Sequence, residues 1–394
     1  MLRVIGKGAF GKVRILKHKA TKIDYALKYI SKGKCVELKA ANNIIAERKL
    51  LEHIDYPLVV NLRYAFQDDE NLFMVLDLML GGDLRFHLER NGPLTELQVR
   101  FYVADIALSL GYLHHSSRRI AHRDIKPDNI LLDTKGHAHL SDFNVACQFY
   151  DKKPLRWSRA GSLAYMAPEI LAKQGYTTAV DWWSLGICPF KGVTTDTVID
   201  AIVNQPLIFP DGAQNKVSQE CLDLISKSPL QRLGCGPDGF EQFKEHPWFR
   251  GMDWGALERK EATPPFKPSS QESNFDAVHE LEELLFEDAP LRPRKRGGRK
   301  SWNGVESDES RERQLLEDKF LPFDFTIKPS PKYHTSQLRR GSSAASTAVE
   351  SRLFKRIGVL SEQYDQSKYR AQGYILTPDD DKIDPIATKV SKDV

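Results

Sequence analysis

The chain is short of cysteine, of net charge and of long apolar runs. Its five cysteines, Cys35, Cys147, Cys188, Cys221 and Cys235, are scattered, odd in number and without the paired spacing of zinc ligands. That excludes a disulfide framework and points to a reducing compartment, with the cytoplasm as the expectation. The longest apolar stretch, Leu72 to Leu80, is interrupted by Asp77 and falls short of the roughly 18 residues a membrane span needs. No leader-like segment precedes the first motif. A net charge of +4, from 57 basic and 53 acidic residues, is too small to argue for nucleic acid, and none is expected as a partner. What is present is 41% hydrophobic residues in 394, enough for a sizeable core in one large or two ordinary domains plus a tail.

The densest chemistry lies in His122-Arg123-Asp124-Ile125-Lys126-Pro127-Asp128-Asn129 and in Asp142-Phe143, which follows after two short apolar runs. Asp124 can accept a hydroxyl proton and Lys126 can hold a phosphate oxygen. Asn129 can ligate a metal, and Asp142 supplies the carboxylate that a hard cation such as Mg²⁺ prefers. Phosphoryl transfer asks for this set, because the protein has only to position the acceptor and neutralise spreading charge.

Upstream, Gly6-Lys7-Gly8-Ala9-Phe10-Gly11-Lys12-Val13 carries three glycines in a spacing that also serves dinucleotide folds at a strand-to-helix turn. Here Val13, Ile15, Ala26, Lys28 and Ile30 sit on alternating, strand-like runs around a turn at Thr21-Lys22-Ile23-Asp24, so the glycines join strands. Such a hairpin lets backbone N–H groups approach an anion. Glu37 to Leu51 reads as a helix, with Glu37, Glu47 and Glu52 as candidate partners of Lys28. Strand-like runs follow at 59–66 and 71–78, and the connection after them can present backbone groups of Asp77 and Met79 to an adenine edge. From Glu96 to His114 apolar residues recur at three and four, an amphipathic helix with Thr95 as N-cap. Ile130–Leu132 and His137–Leu140 form a hairpin around Gly136 that delivers Asp142.

The loop matches H-R-D-x-x-x-x-N, Asp142-Phe143 begins a D-F-G-like motif and Ala26-Leu27-Lys28 resembles the V-A-I-K strand. On these motifs Gly6 to Trp254 resembles a eukaryotic protein kinase domain of the AGC class. Asp142-Phe143-Asn144 with Gly161-Ser162-Leu163-Ala164-Tyr165-Met166-Ala167-Pro168-Glu169 is similar to the YANK subfamily. The resemblance implies an α+β, bilobal fold: a small antiparallel sheet with one helix in the N-lobe and a mainly helical C-lobe. It divides the chain into a kinase domain at 1–250 (N-lobe 1–76, hinge 77–82, C-lobe 83–250), a tail with a basic linker and a hydrophobic motif at 251–326, and a mostly disordered 327–394.

It further implies ATP and Mg²⁺ as cofactors, transfer to Ser/Thr hydroxyls of protein substrates, and a monomer. Gly6 to Gly11, Val13, Ala26, Lys28, Asp77, Met79 and Asp83 would bind the nucleotide, Asp83 at the ribose or substrate-arginine position. Lys28, Glu47, Asp124 and Lys126 would be catalytic, and Asn129 and Asp142 would hold the metal. Glu47 is preferred over Glu37 and Glu52 because Glu47-Arg48-Lys49-Leu50-Leu51 resembles the context in which kinases place that helix glutamate. Ser158 falls where the activation segment is phosphorylated, with Arg123 as the phosphate's partner. At Asn144 most kinases have glycine; asparagine tolerates positive φ, so the turn is expected to survive. Glu169 and Arg232 resemble the ion pair that pins the activation segment, and Asp181 should accept backbone hydrogen bonds from the catalytic loop.

The pattern departs from the family after Asp181-Trp182-Trp183-Ser184-Leu185-Gly186. Ile187-Cys188 run straight into Pro189-Phe190, shortening the central helix by about nine residues, on the order of 13 Å. A smaller shortening lies between Ile225 and Arg232. Lost core contacts of roughly 1.5 to 3 kcal/mol per large side chain weigh against a total stability of about 5 to 15. The alternative to an active kinase is therefore a binding-only pseudokinase or a non-productive splice or gene-model variant. The Gly186 junction also removes an acid that basic-directed members use for substrate arginines, which leaves basic-flanked acceptors as one option.

In the tail, Pro264-Pro265-Phe266 and Asn274-Phe275-Asp276 resemble the AGC segment that crosses back over the N-lobe. Arg292 to Lys300 packs six basic residues into nine, to be read as a nuclear address, an anionic-lipid patch or a solvated linker. Phe320-Leu321-Pro322-Phe323-Asp324-Phe325 resembles the hydrophobic motif, with Asp324 giving permanent charge in the phosphorylated place. Its aromatics are expected to dock beside the Glu47 helix. Arg339-Arg340-Gly341-Ser342-Ser343 reads as a substrate-like site.

Overall fold

Strand β2 (Gly11–Lys17), whose first residues alternate between part-exposed and buried, and β3 (Asp24–Ser31), buried on both faces for most of its length, pair antiparallel from Gly11↔Ile30 to Lys17↔Asp24. The computed structural model describes residues 4–7, 11–186, 194–209, 211–226, 232–236, 238–270, 273–275 and 308–326. Around that hairpin β1 (Val4–Lys7), β4 (Leu62–Gln67), β5 (Asn71–Asp77) and the tail strand β10 (Phe323–Asp324) complete an antiparallel sheet. Its order is β1-β2-β3-β5-β4-β10. One face buries Leu16, Leu27, Phe66 and Phe73; the other joins the main core through Ile30, Ala65 and Met74.

The helix expected over Glu37–Leu51 is two helices, α1 (Lys32–Glu37) and α2 (Ala41–Leu51). Lys39 takes φ +51°, and Ala40 N–H donates to Cys35 O at 2.8 Å, so the backbone turns between them. Ser31 caps α1, which makes the loop before α2 a second helix instead of its first turn.

The second lobe is mainly helical, as the bilobal reading expects. After β5 the chain crosses 78–83 to α3 (Leu84–Asn91), capped by Asp83. Helix α4 (Glu96–His114) has the expected bounds, with Thr95 and Gln98 forming a reciprocal capping box. It buries Ile106, Leu110 and Leu113 in the core beneath β6 (Ile120–Ala121), β7 (Ile130–Leu132), β8 (Ala138–Leu140) and β9 (Cys147–Gln148). Beyond them come α5 (Pro168–Leu171), α6 (Val180–Gly186), α7 (Thr195–Asn204), α8 (Gln219–Ser226), α9 (Gly239–Lys244) and α10 (Trp254–Glu258). The central helix, α6, spans 7 residues; those after Gly186, and the second shortening, lie outside the described residues. Trp182 on α6 still packs on Phe243, ring centroids 4.9 Å apart.

The tail then returns to both lobes. His137 Nε2 faces Ala262 O at 3.1 Å, and Asn274 Nδ2 donates to Leu80 O at 3.0 Å in the 78–83 connection. Helix α11 (Asp308–Lys319) lies on α1 and α2, and β10 pairs with β4 through Phe323↔Ala65 and Asp324↔Tyr64. Docking of the hydrophobic motif is thus present: Phe320 is fully buried, and Gln67 Nε2 donates to its carbonyl at 2.9 Å. Asp276, the Arg292–Lys300 run and Arg339–Ser343 fall outside the described residues. No described helix is long and apolar enough to cross a membrane.

Candidate active site

The loop after β6 is held from below by one buried carboxylate. Asp181 accepts the N–H of His122 at 2.8 Å and of Arg123 at 2.7 Å, and His114 Nε2 lies 2.8 Å from it. Arg123 takes φ +69° there, a left-handed turn that throws the following side chain toward the cleft. Burial works against the Asp181 charge, but His114 and the backbone donors outweigh it and hold its pKa below the ordinary carboxylate range.

Asp124 is fixed on both oxygens. Its Oδ1 accepts Ser162 N–H at 2.8 Å; its Oδ2 accepts Asn129 Nδ2 at 2.9 Å and faces Lys126 Nζ at 3.1 Å. Lys126 Nζ in turn donates to Ser162 Oγ at 2.8 Å. The close approach that makes this possible needs Gly161: at φ +107° a Cβ would sit 2.1 Å from Arg123 O.

Asn129 links this group to Asp142. Its carbonyl accepts Ser141 N–H at 2.9 Å and Ser141 Oγ at 3.0 Å, one residue before Asp142. Asp142 has φ +60°, and Phe143 after it is buried against His122, ring centroids 4.9 Å apart. The left-handed residue of this segment is therefore Asp142 and not Asn144, whose Oδ1 is buried with no hydrogen-bond partner among the described residues.

On the N-lobe side, Lys28 Nζ donates to Glu47 Oε1 at 2.7 Å and to Asp142 Oδ1 at 3.5 Å. The choice of Glu47 stands: Glu52 pairs with Arg48 at 2.7 Å instead. Burial opposes the Lys28 charge, yet Glu47 and Asp142 hold its pKa above the ordinary lysine value. Desolvation pushes the Glu47 carboxyl up, which Lys28 only partly offsets. For Asp142 burial is outweighed by Lys28 and His122, and the pKa lies below the ordinary range.

Gly6 and Lys7 lie on β1, Gly11 and Val13 on β2, and Ala26 is buried on β3. At Gly11 a Cβ would stand 1.8 Å from Tyr29 O, so the hairpin closes only without a side chain. Gly8, Ala9 and Phe10 are outside the described residues. Asp77 N–H donates to Asn61 O at 3.1 Å and its carboxylate chelates Arg63 at 2.6 and 2.9 Å, so any adenine contact from Asp77 would be its carbonyl's. Met79 is buried nearby, and Asp83 accepts Phe86 N–H at 2.8 Å, with burial raising its pKa. Arg123 NH1 donates to Ser158 Oγ and to Tyr176 OH, both at 2.9 Å. Glu169 and Arg232 pair at 2.8 Å. Asp324 accepts from Thr326 N and Oγ1 beside β10.

Two contributors were not singled out from the sequence. Ser162 touches both Asp124 and Lys126, and Tyr176 shares Arg123 with Ser158. Ser162 stands inside a motif that was legible, but its bonds depend on the Gly161 turn. Tyr176 carries no local signal.

The donors fit a nucleotide with a divalent cation. Asn129 and Asp142 offer hard oxygen ligands joined through Ser141, and a lysine beside them meets anionic oxygens. A sheet-based lobe and a helical lobe, with a paired lysine from one reaching the carboxylate of the other, define a protein kinase. The protein kinase domain model matches residues 1–249, and the chain belongs to that family. It is 39% identical over 316 residues to serine/threonine-protein kinase 32B of Homo sapiens, covering 75% of this chain and 74% of that one. Serine/threonine-protein kinase 32C of Homo sapiens is 36% identical over 361 residues, 86% and 72% of the two chains. Serine/threonine-protein kinase Sgk1 of Homo sapiens is 38% identical over 299 residues, 73% and 68%. The chain is a serine/threonine protein kinase of the AGC class that resembles the YANK kinases, and membership implies a nucleotide and a divalent metal.

Proposed function

We propose that the chain moves the γ-phosphoryl group of ATP to serine or threonine hydroxyls of protein substrates, with Mg²⁺ as the metal. The observation that carries this reading is the fixed set Asp124, Lys126, Asn129 and Ser162, tied through Ser141 to Asp142.

Asp124 Oδ accepts the hydrogen of the acceptor hydroxyl as its oxygen bonds to the γ-phosphorus and the bond to the ADP oxygen breaks. Ser162 N–H and Asn129 Nδ2 keep that carboxylate aimed, so little reorganisation is needed at the moment of transfer. Lys126 places its ammonium on the transferred oxygens. Lys28, held by Glu47, meets the phosphates that stay behind. Mg²⁺, when bound by Asn129 and Asp142, supplies charge neutralisation on the phosphate oxygens. Gly6 and Lys7 on β1 and Gly11 and Val13 on β2 would cover the phosphates, and the motif assigns Gly8, Ala9 and Phe10 the same role. Ala26, the Asp77 carbonyl and Met79 N–H take the adenine, and Asp83 the ribose or a substrate arginine.

In this reading 1–76 and 83–250 are the lobes, 77–82 the hinge and 251–326 the tail, acting as a monomer in the cytoplasm. The Arg292–Lys300 run leaves nuclear entry open. Ser158 and Asp324 are regulatory, through Arg123 and the docked motif. Mass spectrometry of a Ser/Thr peptide incubated with ATP and Mg²⁺ tests the transfer. Phosphate on the hydroxyl is expected, and nucleotide-induced stabilisation without transfer would favour a binding module.

A further inference from the structure

A shallow, open depression of about 650 Å³ lies at the end of the β6–β9 pair remote from Asp124, where Ile120 faces Gln148. Arg118, Arg119, Lys152 and Lys153 line it against one acid, Asp151, in a chain whose whole basic excess is +4. The transfer site uses none of them.

The groove is built and not merely charged. Arg118 stacks 3.7 Å over the Tyr112 ring and donates NH1 to Tyr112 O at 3.3 Å, so its guanidinium is already ordered. Gln148 Nε2 donates to Arg118 O at 2.9 Å, joining the two walls. The wall from β9 folds back through a Tyr150↔Lys153 bridge, which leaves the Tyr150 ring and both lysines exposed. Arg119 NH1 donates to the Asp151 carboxylate, whose side chain is 95% exposed. An exposed carboxylate gains little from such a pair and is readily displaced. Asp151 therefore marks where an incoming acid would sit.

We propose that this groove docks an acidic segment of a protein partner, its carboxylate or phosphate groups taking the place of Asp151 on Arg119 and extending over Arg118, Lys152 and Lys153. Four cations around one seated carboxylate complement the acidic side chains of an extended peptide. The segment that forms the wall continues to Arg156, whose NH2 donates to Gln148 O at 2.8 Å, and on to Ser158. Docking braces the start of the activation segment from outside the cleft.

The test is fluorescence anisotropy of the full chain with a labelled Glu/Ser peptide and its phosphoserine counterpart. Binding is expected to weaken by about tenfold in Lys152→Glu/Lys153→Glu, to tighten by about threefold in Asp151→Asn, and to fall as salt rises. Preference between the two peptides assigns the anion as phosphate or carboxylate. Equal binding by wild type and the charge-reversed variant overturns the proposal, as does binding only to phosphatidylserine vesicles. Thermal unfolding of the double variant reports its folding. Should it not fold, the Asp151→Asn arm decides alone, and no tightening there overturns the proposal.

Discussion

Lys28 Nζ lies 2.7 Å from Glu47 Oε1 and 3.5 Å from Asp142 Oδ1, so one ammonium ties α2 to the segment that follows β8. Glu47 is buried, and its removal leaves Lys28 with only the longer contact to Asp142, at a cost below the roughly 3 to 5 kcal/mol of a buried charge left with no partner. Glu47→Ala should therefore lower the unfolding midpoint and cut phosphoryl transfer by about 100-fold or more. Calorimetry and peptide phosphorylation on the same preparation check both; unchanged transfer would remove the pair from the mechanism.

Phe320 sits at the junction of α11 with α1, α2 and the sheet, fully buried. Phe320→Ala should cost about 3 to 5 kcal/mol and lower activity, because α11 braces the helix that carries Glu47. Phe325→Ala, at a ring 40% exposed, should cost far less. Denaturant unfolding of the two variants separates them, and equal losses would contradict the docking energetics.

Ser158 Oγ already accepts from Arg123 NH1 at 2.9 Å. A phosphate there adds charge and acceptor oxygens beside a fixed guanidinium. Phosphorylated chain should transfer faster than Ser158→Ala, read as initial rates, and Arg123→Ala should abolish the difference.

Asp133 gives the pH dependence. Burial works against its charge, but His139 and Lys260, with the N–H of His137, hold its pKa below the ordinary carboxylate value. A depressed folded-state pKa adds stability that is complete above the unfolded value of about 4 and fades as pH falls through the folded value. Asp133→Asn should lower Tm at pH 7 and flatten the decline of Tm below about pH 4. A parallel decline in both proteins would contradict the assignment.

Much of this architecture is legible because local and global signals agree. Thr95 and the three-and-four spacing behind it bound α4, and strand-like runs around the Thr21–Asp24 turn placed β2 and β3. Glu47 was separable from Glu37 and Glu52 by its sequence context. The break at Lys39 was not, since no glycine or proline stands between Glu37 and Ala41 to mark a left-handed residue there. Helix α11 is mostly polar and buries Leu316 alone in full, too weak an apolar stripe to read. Lys32 looks like a surface charge in the sequence, yet it is buried under α11 with its ammonium on Asp68 O at 2.6 Å. The pairing of Asp105 with His137, both fully buried, joins residues far apart in sequence and had no local mark.

The most direct test is γ-phosphate transfer from ATP to a Ser/Thr peptide by wild-type chain and by Asp124→Asn. Asparagine preserves shape and cannot take the hydroxyl proton, so transfer should fall by about 10² to 10⁴ while nucleotide-induced stabilisation persists. Equal transfer by the two proteins would contradict the role given to the carboxylate that Ser162 and Asn129 hold in place.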